Sequence, residues 1–153
     1  MCGFAGIFDP NNSLDINRIK NYSYEMASAL FHRGPDSEGL WYSDNIAIAH
    51  RRLAIQDLSI AGGQPMTSKS GRYLIAFNGE IYNAFELRPE LENKGYVFKS
   101  NTDTEVILNL FLAFGFEGML ARINGMFAIC IVDLSNQRIF LARDRLGIKP
   151  LYF

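Results

Sequence analysis

A cysteine at position two, followed by glycines at positions 3 and 6, is the first group in this chain equipped to act as a nucleophile. A small side chain at position two favours removal of the initiator Met1, which would leave Cys2 with a free α-amine. Such an amine has an unperturbed pKa of roughly 7.7–8.0, so part of it is neutral near pH 7 and able to take the thiol proton, directly or through a water. The thiolate is the attacking form, and the glycines permit close backbone approach around it. Asn78-Gly79-Glu80 follows a predicted strand. Delivered into a tight turn, the Asn amide and a backbone N–H could point the same way and stabilise an oxyanion. Arg51 and Arg52 end another predicted strand, where a guanidinium can hold a small carboxylate through two parallel hydrogen bonds. Asp103 falls in the first turn of a predicted helix, and His32 and His50 are candidate bases, His50 within an apolar strand that fits a structural hydrogen-bonding role better. Taken singly, each has a plain structural reading: a small apolar thiol, a hairpin turn, a solvated or ion-paired arginine, a carboxylate complementing a helix dipole. Cys130, inside an apolar strand, reads as a packed core thiol.

The elements that must position these groups come in blocks. Gly3 to Phe8 reads as a short buried strand stopped by Asp9-Pro10-Asn11-Asn12. Ile16, Ile19, Met26, Ala27 and Leu30 keep helical spacing, which predicts an amphipathic helix over Leu14 to Phe31, broken by His32-Arg33-Gly34-Pro35-Asp36. Leu40 to Tyr42 and Ile46 to Leu53 read as strands joined by a turn at Ser43-Asp44-Asn45, and Ala61 to Pro65 as a loop. Arg72 to Phe77 is a strand leading into Asn78-Gly79. Asn83 can cap a helix that Gly95 closes, and Thr102-Asp103-Thr104-Glu105 has the capping-box pattern ahead of a helix that Gly115 ends. Met126 to Val132 and Arg138 to Ala142 form a predicted hairpin, and Gly147 to Phe153 a last strand. Phe127 to Val132 is apolar on both faces, which calls for burial on both sides. Strands and helices in blocks predict an α+β fold of antiparallel sheets covered by helices.

Bulk properties narrow the function. A chain of 153 residues favours one domain. Its net charge of −1 gives no electrostatic reason to expect nucleic acid or an anionic membrane. The longest uninterrupted apolar stretches, such as Met126 to Val132, are too short to span a bilayer, and the N-terminus lacks a signal-peptide pattern. Two distant cysteines make neither a metal site nor a disulfide framework, and the histidines have no ligand partner at a useful spacing, so the expectation is no metal and a reducing, cytoplasmic setting.

Seven blocks occur in one order: Met1-Cys-Gly-Phe-Ala-Gly-Ile-Phe8, His32-Arg-Gly-Pro-Asp36, His50-Arg-Arg-Leu-Ala-Ile55, Gly63-Gln-Pro-Met66, Asn78-Gly-Glu-Ile-Tyr-Asn83, Ser100-Asn-Thr-Asp-Thr-Glu105 and Ala142-Arg-Asp-Arg-Leu-Gly-Ile-Lys-Pro-Leu-Tyr-Phe153. Together they closely resemble the N-terminal glutaminase domain of glutamine-hydrolysing asparagine synthetases, a class II (N-terminal nucleophile) glutamine amidotransferase, over essentially the whole chain. The resemblance implies a four-layer αββα sandwich and hydrolysis of L-glutamine to L-glutamate and ammonia. It implies Cys2 as nucleophile, Asn78 and Gly79 as the oxyanion hole, and Arg52 with the backbone of Leu53, Ala54, Ile55 and Gln56 on the substrate carboxylate. Glu80 and Asp103 would hold the ammonium, with Arg33 and His50 supporting the pocket wall.

The same resemblance sets the expected partners. Residues 1–153 would be a single amidotransferase domain with no cofactor of its own. No Ser-Gly-Gly-x-Asp-Ser phosphate loop occurs, the one Gly-Gly pair, Gly62-Gly63, being followed by Gln64-Pro65, so ATP and Mg would belong to an absent synthetase domain, fused or separate, that accepts the ammonia. Homo-oligomerisation is left open. A catalytically silent glutamine-binding or assembly module of the same fold is the alternative reading, and an N-terminal-nucleophile amidohydrolase with another substrate is a third.

Overall fold

The computed structural model describes residues 2–153. Two antiparallel sheets stack face to face. The first holds β1 (Gly3–Phe8), β2 (Ser37–Tyr42) and β3 (Ile46–Arg52) in the order β1-β3-β2. The second holds β4 (Met66–Thr67), β5 (Tyr73–Ile81), β6 (Gly125–Asp133) and β7 (Arg138–Arg143) in that order. Helix α1 (Ile16–Ala29) covers the outer face of the first sheet, burying Ile19 and Ala27. Helices α2 (Ala84–Asn93) and α3 (Asp103–Arg122) cover the outer face of the second. The result is the expected αββα sandwich.

The period-two pattern of β5 and β6 explains why both need two apolar faces. Leu74, Ala76, Cys130 and Val132 point between the sheets and pack with Ile46 and Ile48. Ile75, Phe77, Ile81, Ile129 and Ile131 point the other way, against Leu87, Leu91, Val106, Ile107 and Leu110 of the helices. Burial pushes the Cys130 thiol up to about 12, so it is inert core, as its apolar strand implied.

Several local expectations change. Asn78-Gly79 is not a turn: β5 runs straight through it to Ile81, with Asn78 opposite Ala128 and Gly79 opposite Phe127. Pairing along nine residues of β6 overrides the local turn preference. Gly147 to Phe153 is not a strand. The Asp144 carboxylate takes the N–H groups of Ile148 (2.8 Å) and Lys149 (2.9 Å), and Pro150 has none, so no ladder can form there. The first helix starts later than predicted, at Ile16, where Asp15 accepts from Arg18 N–H at 3.0 Å. Strand β2 begins earlier, at Ser37. Asn83 precedes α2 without capping it through its side chain, which instead bonds Asn124 N–H (2.9 Å) and the Arg122 carbonyl (2.8 Å).

Thr102 does cap α3, accepting from Glu105 N–H at 3.4 Å, but the capping box is not reciprocal. The Glu105 carboxylate turns to Ser100 N–H (2.7 Å) and Lys99 N–H (2.9 Å). Gly115, at φ 72°, breaks the helical backbone where predicted, and a second helical segment resumes beyond it. By length and composition the run Asp103–Arg122 is apolar enough to cross a membrane. Its first nine residues are all buried against the second sheet, which accounts for that apolarity.

Gly79 is required by close approach. A Cβ there would overlap the Met126 carbonyl and come within 2.8 Å of the Phe127 Cα and 2.9 Å of the Phe77 ring. Gly79→Ala should therefore cost about 1–3 kcal/mol through overpacking, read as a lowered midpoint in urea unfolding at unchanged m-value. An unchanged midpoint would mean that β6 yields without penalty.

Candidate active site

The N-terminal end of β1 and the C-terminal end of β3 lie side by side, with Gly3 paired to Arg51. That register brings Cys2 against the residue following β3. Leu53 N–H donates to Cys2 Sγ at 3.4 Å, and the thiol faces the Leu53 carbonyl at 3.7 Å. From the α1 side, Arg33 Nε donates to the Cys2 carbonyl at 3.1 Å and fixes the peptide behind the nucleophile. Removal of Met1 concerns a residue outside those described.

Cys2 opens into a cavity of about 140 Å³. Of the residues singled out in the sequence, Arg52, Leu53, Ile55, Gln56, Asn78, Gly79, Glu80 and Asp103 line it with Cys2. Ala54 does not; its N–H goes to the Asp36 carboxylate at 2.8 Å, beside the cavity rather than in it. Arg33 and His50 also lie behind the wall.

The charges are placed by different elements. Arg52 ends β3, and its guanidinium donates to the carbonyls of Ser59 (3.0 Å) and Asp57, wrapping the loop after β3 around itself. Two of its five N–H donors are used this way, which leaves others for a carboxylate. The Asp57 carboxylate accepts from Asn101 N–H and Ser59 N–H, each at 2.8 Å, and these bonds hold its pKa down at about 2. The loop is thereby tied to the segment leading into α3. Asp103 sits in the first turn of α3, where its carboxylate accepts from Ile81 N–H at 3.0 Å and its own N–H reaches Gln56 Oε1 at 3.3 Å. Burial, with a smaller push from the Glu80 charge, raises Asp103 to about 6 despite the N–H donors around it. A buried carboxylate of that kind favours a cationic ligand.

His50 is fully buried and sits behind β5. Its Nε2 meets the Phe77 carbonyl at 3.1 Å, so that nitrogen carries the proton and donates. Burial, assisted by the Arg52 charge, lowers its pKa to about 4. It is neutral at physiological pH and does not reach the cavity, so it is no general base for chemistry there.

Gln64, Thr104 and Lys149 are among the lining residues to which the sequence reading gave no site role. Gln64 joins Phe77 N–H (2.7 Å) to Thr104 Oγ1 (3.2 Å), and Lys149, almost wholly buried, completes the wall. Lys149 is delivered by Asp144, whose carboxylate also accepts from Phe127 N–H at 3.1 Å. The signals available were Gln64 beside Pro65 and the Asp144-to-Lys149 spacing, neither of which indicates a cavity without the tertiary fold. Among the described residues no group of acidic, histidine or cysteine side chains is placed to hold a metal.

A backbone N–H edge, a thiol, a guanidinium and two carboxylates on one small cavity can attack an amide while holding a free amino acid by both charged ends. Comparison with known proteins agrees. The family described as glutamine amidotransferase domain matches residues 1–153. Asparagine synthetase [glutamine-hydrolyzing] 1 of Bacillus subtilis (strain 168) is 40% identical over 153 residues, all of this chain and 24% of that protein. Asparagine synthetase B of Escherichia coli (strain K12) is 40% identical over 152 residues, 99% of this chain and 26% of that protein. The chain thus spans about a quarter of the length of these relatives. Among solved structures, glutamine phosphoribosylpyrophosphate amidotransferase from B. subtilis superposes with a TM-score of 0.77 at 23% identity, covering 98% of this chain and 38% of that one, and so shares the fold. The chain belongs to the glutamine amidotransferase domain family.

Proposed function

We propose that the domain hydrolyses L-glutamine to L-glutamate and ammonia at Cys2. The observation that carries this reading is the convergence of Cys2, Arg52, Asn78, Gly79 and Asp103 on one cavity. In the reaction the Cys2 α-amine, freed by loss of Met1, takes the thiol proton. The thiolate attacks the side-chain amide carbon, and the oxyanion is held by Asn78 and the Gly79 N–H. The tetrahedral species collapses, the proton passes from the amine to the leaving nitrogen, and ammonia departs from a γ-glutamyl thioester. Water then attacks the thioester and releases glutamate and the thiol. Arg52 and the Leu53–Gln56 backbone take the α-carboxylate, and Glu80 and Asp103 the α-ammonium.

The ammonia passes, in this reading, to an ATP-dependent synthetase domain on the same or a partner chain. Support comes from the names of the relatives and from the fraction of their length that this domain spans. Any requirement for ATP and Mg lies with that acceptor. The free Cys2 and Cys130 thiols fit a reducing, cytoplasmic setting.

The direct test is intact mass before and after 6-diazo-5-oxo-norleucine, a glutamine mimic that alkylates glutaminase nucleophiles. A mass lacking Met1, and one adduct mapping to Cys2 that is lost in Cys2→Ala together with glutamate release, is expected. A processed chain that takes no adduct would leave a silent module.

A second prediction concerns pH. Only ionised Asp103 holds an ammonium, and its raised pKa keeps it protonated below about 6. Since kcat/KM reports the free enzyme, it should fall through that range as pH drops, steepening any decline from protonation of the α-amine. Asp103→Asn should lower kcat/KM about ten- to hundredfold at pH 7.5 and abolish the break near 6. A break that persists in the variant belongs to another group.

A further inference from the structure

The backbone of β5 is only partly covered on the side away from β6. Strand β4 pairs Met66 with Ile75 and Thr67 with Leu74 and goes no further. N–H and C=O groups of alternate residues face this edge, and those of Tyr73, Ile75, Phe77, Gly79 and Ile81 do so. Tyr73 is met by Ser68, whose N–H donates to its carbonyl at 2.8 Å. At Ile81 the N–H goes to Asp103. Between them lie Phe77, then Gly79 facing the cavity.

Continuing the β4 register would put Gln64 opposite Phe77. Main-chain pairing stops at Met66, and the Gln64 side chain takes over: Oε1 accepts from Phe77 N–H at 2.7 Å. The Phe77 carbonyl is taken from the other sheet by His50 Nε2 at 3.1 Å. Gln64 is itself fixed twice. Its Nε2 donates to Thr104 Oγ1 on α3 at 3.2 Å, and its carbonyl fills the space left by Gly39 of β2, where a Cβ would overlap it. Both polar groups of Phe77 are thus gripped by buried side chains from two different layers. The gripped carbonyl belongs to the peptide plane that leads into Asn78.

We propose that Gln64 and His50 are positioning residues for the oxyanion site, clamping the two backbone groups of Phe77 and so setting the direction of the Asn78 amide and the Gly79 N–H. This rests on the glutaminase reading given above. Neither side chain needs to touch the reacting atoms. Their effect belongs to the transition state, because the oxyanion exists only there.

Four variants of the full-length protein test the clamp through glutamine hydrolysis, glutamate binding, and binding of the γ-aldehyde analogue of glutamine, which forms a tetrahedral adduct with a thiol. Gln64→Met and His50→Met remove the hydrogen bonds at similar volume. Each should lower kcat about 100-fold, the scale of a displacement of order 1 Å, with KM and glutamate affinity changed less than about threefold. Aldehyde binding should weaken in step with kcat/KM. His50→Gln, whose amide can reach the Phe77 carbonyl, should restore kcat to within about tenfold of wild type. Losses confined to KM, or a His50→Gln variant no better than His50→Met, would overturn the clamp. Should a Met variant fail to fold, Thr104→Val decides: a kcat lowered several-fold at steady KM supports the clamp, and an unchanged kcat refutes it. Wild type that neither turns over glutamine nor takes the Cys2 adduct would instead refute the functional reading.

Discussion

A backbone polar group buried without a partner costs as much as a lost hydrogen bond, and this domain must meet that cost along the half-covered edge of β5. A second full strand there would satisfy every group and leave nothing for a substrate. The chain instead ends β4 after two residues and satisfies the edge one group at a time, with Gln64 and His50 at Phe77 and Asp103 at Ile81. The position between them faces a cavity. The sandwich is thereby both a packed core and a mount for one exposed stretch of main chain, and the loop after β3, the start of α3 and the inter-sheet histidine all converge on it.

The charged groups follow from the same economy of space. Asp103 is held largely dry, so its ionised form is disfavoured in the unliganded protein. Its folded pKa lies above the unfolded value of 3.8, so the folded state binds the proton more tightly between about 4 and 6. Stability falls as pH rises through that window, and the cost persists at neutral pH. His50 acts in the opposite sense. With its pKa lowered from 6.5 to about 4, stability is lost as pH falls through that range. The two slopes oppose one another, so acid sensitivity below pH 6 is less than His50 alone would produce. An ammonium bound at Asp103 would lift the first cost, which turns a local instability into affinity.

Much of the architecture was readable before any coordinates. The two apolar faces of Phe127 to Val132 placed a strand between two packed layers, and the block order pointed to antiparallel sheets covered by helices. Cys2 was conspicuous by position. The failures come from hydrogen-bond partners that local preference does not announce, some distant in sequence and some only a few residues away. Asn78-Gly79 carries the strongest short turn signal in the chain, yet β6 extends past it and keeps it straight. Glu105 sits correctly for a capping box, yet Ser100 and Lys99 claim its carboxylate. Gln64 and Thr104, forty positions apart, meet through their side chains only because β4 and α3 flank the same strand. Gly147 to Phe153 looked extended in pattern, and Asp144 pre-empts its N–H groups.

That last arrangement has a bearing on how such a site can diversify. Residues 148 and 149 are fixed through their main-chain N–H groups by one carboxylate, which at the same time anchors to the strand opposite Gly79. The main-chain path at position 149 is therefore set from residue 144, while the buried residue it carries lines the cavity. Scaffold and lining are thus specified by different residues: Asp144 fixes the main chain of this segment, and position 149 contributes to the cavity wall.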